Sequence, residues 1–180
     1  MNPWMTLRKA LCKNPGLHFE FNVQCHPECE LTGEITIGAN TTVGKSKIIS
    51  KNGFLISIGK NANIRDHILM YTENKDQKKE NAIYIGNRVY ISSSVEIYGP
   101  VVIADETFIG SKTMIVNSQI GKGCLIEDNV LIKNIIIPSN VVIPSSSVID
   151  SEESLNKILS DLNQGEFCQL EPINTNGKLT

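Results

Sequence analysis

The sequence predicts an all-β fold: a single-stranded parallel β-helix of hexapeptide repeats with a short C-terminal α-helix packed outside it. Three observations carry this. From Ile85 the aliphatics recur every six residues, at Ile85, Ile91, Ile97, Ile103, Ile109 and Ile115. After one-residue shortenings they resume at Ile120, Ile126, Ile132 and again at Ile137, Ile143, Ile149. Four residues into most repeats stands a second small or β-branched residue: Val89, Val95, Val101, Thr107, Thr113, Cys124, Val130, Val141 and Ser147. Neither a 3.6-residue nor a two-residue period fits this spacing, whereas stacked coils of about 18 residues, three hexads each, do. Gly, Asn, Asp and Ser between the aliphatics suit corners that need left-handed backbone.

In order along the chain, Trp4, Leu7 and Leu11 space one face of a short helix over residues 3–13, started near Pro3 and ended by Asn14-Pro15-Gly16. Leu17, Phe19, Phe21, Val23 and Cys25 alternate inward, predicting a strand that covers the open end of the solenoid. Residues 1–24 are therefore assigned to an N-terminal cap. Residues 25–149 form the β-helix, with inward positions at Cys25, Leu31, Ile37, Val43, Ile49, Ile58, Ile64 and Met70 and a corner loop at residues 50–53. The stretch 72–81 is nine-tenths charged or amide and is read as a polar loop projecting from a corner. Roughly seven coils at the ~4.8 Å inter-strand spacing give a prism about 33 Å long. Asp150 with Glu153 three residues later offers a helix cap, Leu155, Ile158, Leu159 and Leu162 a stripe, and Gly165 a stop, giving a helix over 150–165. Residues 166–180 show no period and are a tail.

Composition narrows the classes. Apolar residues make 41% and aromatics 6%, so the core is built from Ile, Val and Leu, as stacked aliphatic ladders require. A net charge of −2 gives no basic footprint, so nucleic acid is not an expected partner. Five cysteines, an odd count outside any disulfide-framework spacing, favour a reducing compartment. A cytoplasmic location is expected, with an organellar matrix as the alternative; the first 14 residues are basic but lack the Arg- and Ser-rich character of a transit segment. No transmembrane segment is expected.

Several motifs invite chemistry. Ala39–Ser46, ANTTVGKS, has the loose spacing of a phosphate-binding loop, but Val43 continues the ladder and leaves no room for the following helix. Cys25-His26-Pro27-Glu28-Cys29 resembles a metal knot, although both cysteines fall on inward positions. The serines at 92–94 and 145–147 have no base beside them in sequence. Of the three histidines, His18 faces solvent, and His67 is the one placed to act as a general base.

The run from Y-I-G at Tyr84 through I-Y-G-P-V-V-I-A-D-E-T-F-I-G, and then I-I-I-P-S-N-V-V-I-P-S-S-S-V-I, resembles the γ-class carbonic anhydrases. It is most similar to the branch with the anhydrase-like domain of the carboxysome scaffold. The resemblance spans about residues 28–160 and is most specific at Gly99-Pro100 and Asp105–Gly110. It implies a left-handed β-helix trimer, with one Zn²⁺ at each subunit interface held by three histidines, two from one chain. The family pattern places one histidine after an Asn-x-x-Asp segment and two as His-x4-His-Gly-Pro. Here Asn63 and Asp66 keep the first frame, but Tyr71, Ser93 and Tyr98 occupy the three ligand positions. The family's Arg-x-Asp segment reads Ile49-Ser50-Lys51, and its glutamine before Asp66 is Arg65. Three histidines on zinc bring bound water to a pKa of about 7; phenols and a hydroxyl are poor neutral zinc ligands.

The resemblance therefore implies a catalytically degenerate γ-anhydrase-like scaffold or binding subunit, as a homotrimer or a hetero-oligomer with active paralogues, with no catalytic residue and zinc absent. One alternative is a hexapeptide-repeat acyltransferase using CoA or a carrier-protein thioester, with His67 as base and Tyr71 and Tyr98 lining its cleft. Another is a zinc carbonic anhydrase with an unusual ligand set that includes His67.

Overall fold

The computed structural model describes residues 16–72 and 82–164, and the side chains of all of these except 161–164. The expected helix at 3–13, the polar loop beyond Thr72, the stop at Gly165 and the tail lie outside the described residues.

Within them the chain is a left-handed β-solenoid of seven coils. Each coil has three short strands on three faces, and every strand pairs in parallel with its counterpart in the next coil. The inward residues stack in three columns. One runs Phe19, Ile37, Ile58, Ile85, Ile103, Ile120, Ile137. The second runs Cys25, Val43, Ile64, Ile91, Ile109, Ile126, Ile143. The third runs Leu31, Ile48, Met70, Ile97, Ile115, Ile132, Ile149. A six-residue period yields columns because each hexad spans one face and one corner, so the same position returns after three hexads.

Three details differ from the sequence reading. The parallel ladder starts at Leu17, inside the stretch assigned to a cap: Leu17–Phe19 pairs with Ile35–Ile37 and is the first strand of the first coil. Phe21 is not inward but 78% exposed, because Asn22 adopts φ 57° and turns the corner there. The inward residue of the second coil is Ile48 rather than Ile49, since Ile48 is buried and in register with Leu31 and Met70. That corner is one residue shorter than its neighbours, and the shortening matters below.

The corners use left-handed residues in stacks. Asn40, Asn61, Arg88, Glu106 and Asn140 all have φ between 54° and 61°. Asn side chains bond between coils, Asn22 to Asn40 at 3.0 Å and Asn117 to Asn134 at 2.8 Å. Glycine is required where coils approach closely: a Cβ on Gly59 would lie 2.6 Å from the backbone carbon of Gly86. Buried hydroxyls at the second inward position are satisfied. Thr107 donates to the Gly121 carbonyl at 2.9 Å and accepts from the Cys124 N–H at 3.3 Å, and Thr41 does the same with Gly59 and Ala62. Thr72, read as the start of the polar loop, ends the strand Leu69–Thr72 and is fully buried.

Helix α1 (Glu152–Gln164) packs outside the last coil, where Leu155 is buried and Ile158 and Leu159 rest on the core. Its cap is Ser151 rather than Asp150. The Ser154 N–H donates to Ser151 Oγ at 3.3 Å, and Ser154 Oγ accepts the Ser151 N–H at 3.2 Å, closing a box without Glu153. No helix among the described residues is long and apolar enough to cross a membrane.

Candidate functional site

The five-residue step from Val43 to Ile48 leaves a recess on one edge of the first three coils. Gly44 and Lys45 form the shortened corner, and the Asp66–His67 turn of the next coil clamps it. Asp66 Oδ1 accepts the Lys45 N–H at 2.8 Å, and the His67 N–H donates to the Lys45 carbonyl at 2.6 Å. His67 holds φ 61°, a left-handed conformation that turns its exposed side chain away from the core. The recess is a cleft of about 400 Å³, walled by His26, Lys45, Asn63, Arg65, Asp66 and His67.

Charge in the cleft is unevenly compensated. Lys45 Nζ pairs with Glu28 Oε2 at 2.6 Å, which holds the Glu28 carboxyl below its usual range and the lysine above its own. His26 Nδ1 accepts the Glu28 N–H at 3.1 Å, so the neutral ring carries its hydrogen on Nε2 and acts as a donor. His67 is exposed and lines the same cleft.

The expected site residues fall in two places. Asn63, Asp66 and His67 meet in the cleft, and the Ser94 N–H above donates to the Asp66 carbonyl at 3.1 Å, which stacks half-buried Ser93 over Asp66. Tyr71 and Tyr98 do not line this cleft, a correction to the expected arrangement. Four residues beyond His67 the chain has turned onto the next face, where Tyr71 stands in register with Tyr98, centroids 6.5 Å apart and edge to face. Lys51 Nζ lies 5.2 Å from the Tyr71 ring. Tyr98 Oη donates to Glu96 Oε2 at 2.8 Å, which pushes the phenol above its usual pKa and keeps it protonated.

The other motifs resolve into structure. Ala39–Ser46 contains a corner and the strand Thr42–Val43, with no helix following. Cys25 and Cys29 point inward, and burial pushes their thiols up to about 12 and about 11. Among the described residues no three His, Cys, Asp or Glu side chains converge to hold a metal. Ser145 donates to Glu127 Oε2 and Ser147 to the Pro144 carbonyl, both corner bonds. A second depression of about 160 Å³, between Val102, Gln119 and Ile136, has no titratable side chain. Sequence reasoning missed His26 and Lys45 as partners of His67; the signal was the choice between adjacent isoleucines at 48 and 49.

No protein-family profile matches the sequence, and no curated protein sequence does. Among solved structures the chain is similar to a Bacillus cereus protein provisionally assigned as an acetyltransferase, with 16% identity over 83% of this chain and 84% of that one, at a TM-score of 0.47. It is also similar to LpxA from Acinetobacter baumannii, with 16% identity over 80% and 74% and a TM-score of 0.36. A perosamine N-acetyltransferase from Caulobacter crescentus matches at 14% identity over 79% and 59%, with a TM-score of 0.30. What this chain establishes by its own strand ladders is a hexapeptide-repeat left-handed β-helix.

Proposed function

We propose that the chain transfers an acyl group from a thioester donor, CoA or a carrier-protein thiol, to a hydroxyl or amine, with His67 as general base. The observation that carries this reading is the placing of an exposed imidazole in a cleft of about 400 Å³ among polar donors. In the reaction the acceptor oxygen or nitrogen attacks the thioester carbonyl while His67 takes its proton. The tetrahedral intermediate then expels the thiolate, which recovers the proton from the imidazolium. Asn63 and the Nε2–H of His26 supply hydrogen bonds that orient the acceptor. The test is release of free thiol from acetyl-CoA in the presence of amine and hydroxyl acceptors. His67→Ala lowers the rate by about 10²-fold or more; an unchanged rate in that variant excludes His67 and, with it, this mechanism.

A second reading is favoured by the Tyr71–Tyr98 pair. Both stand at positions that the carbonic-anhydrase resemblance assigns to zinc ligands, and they are adjacent in register. On that reading the chain is a catalytically silent γ-anhydrase-like subunit without zinc, assembled with itself or with a paralogue. Metal analysis combined with the mass in solution tests it: about one zinc per chain, or a monomer, would exclude it.

A further inference from the structure

Asparagines in the left-handed conformation turn many corners of this solenoid. Asn40, Asn61, Asn117, Asn129 and Asn134 hold φ between 45° and 60°, as Asn52 does at 58°. What sets Asn52 apart is the residue that follows. After the other five comes a residue inside the coil: Thr41, Ala62, Ser118, Val130 and Ile135 are at most 5% exposed. Several of their backbone N–H groups are also held by hydroxyls. Ala62 donates to Thr41 Oγ1 at 3.1 Å, Val130 to Thr113 Oγ1 at 3.3 Å and Ile135 to Ser118 Oγ at 3.2 Å. After Asn52 comes Gly53, and Lys51, Asn52 and Gly53 are all exposed. Gly53 has φ 74°, a Cβ built on it would meet nothing within 4 Å, and its N–H makes no hydrogen bond among the described residues. It is the only Asn-Gly pair among the described residues.

We propose that Asn52 is a site of spontaneous deamidation in the folded protein, with water as the co-reactant. The Gly53 nitrogen gives its proton to solvent and attacks the side-chain carbonyl carbon of Asn52. The new C–N bond closes a five-membered succinimide, and the side-chain nitrogen takes up a proton and leaves as ammonia. Water then opens the ring at one carbonyl to give aspartate, or at the other to give isoaspartate, whose main chain runs through the side-chain carbon. One water is consumed, one ammonium and one carboxylate are formed, and nothing is oxidised. Glycine favours the first step because no side chain shields its nitrogen and its backbone rotates freely. An exposed loop lets that rotation occur without opening a coil, whereas a buried, bonded N–H must first be freed by local unfolding. Asn52 is not without a contact of its own, but the attacking atom is the Gly53 nitrogen, which is open. The product adds one negative charge to the formal net charge of −2, one residue from Lys51.

The test incubates the full chain at neutral pH and body temperature and takes samples over weeks. Each sample is digested with pepsin in acid, where ring closure is slow, and every asparagine is read by mass spectrometry with fragmentation. Conversion appears as a gain of one dalton, with aspartyl and isoaspartyl peptides eluting separately. The other Asn-Gly pair, Asn176-Gly177, lies outside the described residues and reads out on a separate peptide. Residue 52 is expected to convert at least about tenfold faster than Asn40, Asn61, Asn117, Asn129 or Asn134. In guanidinium chloride those five should speed up strongly and Asn52 little, because folding protects their neighbours' nitrogens and not that of Gly53. Gly53→Ala should slow conversion at residue 52 at least about tenfold; since φ 74° strains an alanine, its fold is checked by circular dichroism. Conversion at residue 52 no faster than at the other corners, or slowed by folding as strongly as theirs, overturns the proposal without any variant. An unchanged rate in a folded Gly53→Ala variant overturns it as well.

Discussion

Ile97 gives the sharpest test of the continuous core. Its side chain is fully buried in the fourth of seven coils and sits in register between Met70 below and Ile115 above. Ile97→Ala removes three carbons, worth about 2.5 kcal/mol at ~0.8 kcal/mol per buried CH₂. The cavity adds to this, because neighbouring coils are held apart by their backbone ladders and cannot collapse into it; about 3–4 kcal/mol in total is expected. For a chain of this size that corresponds to a fall in melting temperature of roughly 6–16 °C. In a one-dimensional stack a central substitution also weakens two coil–coil interfaces at once. Ile149→Ala, equally buried but on the last coil under α1, should therefore cost less than Ile97→Ala. Ile136→Ala, at a position 62% exposed, should fall within about 0.5 kcal/mol of wild type. Thermal unfolding followed by circular dichroism on the three variants supplies the comparison. Equal losses for Ile97 and Ile136 would refute the stacked-column account of stability.

Two further outcomes follow from the same packing. Gly59→Ala places a Cβ 2.6 Å from the Gly86 backbone, so two coils must separate; a loss of at least about 2 kcal/mol in urea unfolding is expected, and an unchanged midpoint would show that the coils are not in contact there. Cys25 and Cys29 titrate near 9.0 when unfolded and at about 12 and about 11 when folded, chiefly because burial disfavours the thiolate. The stability they contribute is thus fully present below pH 9 and is lost as pH rises through the folded values. Urea unfolding between pH 8 and pH 11 should show a decline that the Cys25→Ala/Cys29→Ala double variant flattens; parallel profiles would contradict the burial of both thiols.

The fold was legible because each inward aliphatic has the same neighbours one coil up and one coil down, which forces the six-residue period onto the sequence. What failed was local choice. At Ile48-Ile49 both residues are equally apolar, and only the partners in register, Leu31 and Met70, decide which one points inward. At Phe21 the alternation of aromatics imitates a strand, and the signal against it was Asn22, the residue type that recurs at the left-handed corners Asn40 and Asn61. The site was half legible for the same reason. His67 can be picked from composition alone, since three histidines are few. The face on which Tyr71 lies depends on where the corner falls between them, and a residue count of four does not reveal that.

The shortened corner ties these threads together. A regular hexad at Val43 would carry one more residue over the edge of the second coil and fill the space in front of Asp66 and His67. The shortened corner keeps the bonds of a full-length one: Asp66 Oδ1 and the His67 N–H bond Lys45 at its N–H and its carbonyl, as Asp128 Oδ1 and the Asn129 N–H bond Ser111. It leaves three side chains that a regular solenoid would space along an exposed edge, His26, Arg65 and His67, around one recess. Stability is then carried by the columns, which tolerate the deletion because Ile48 still finds Leu31 and Met70.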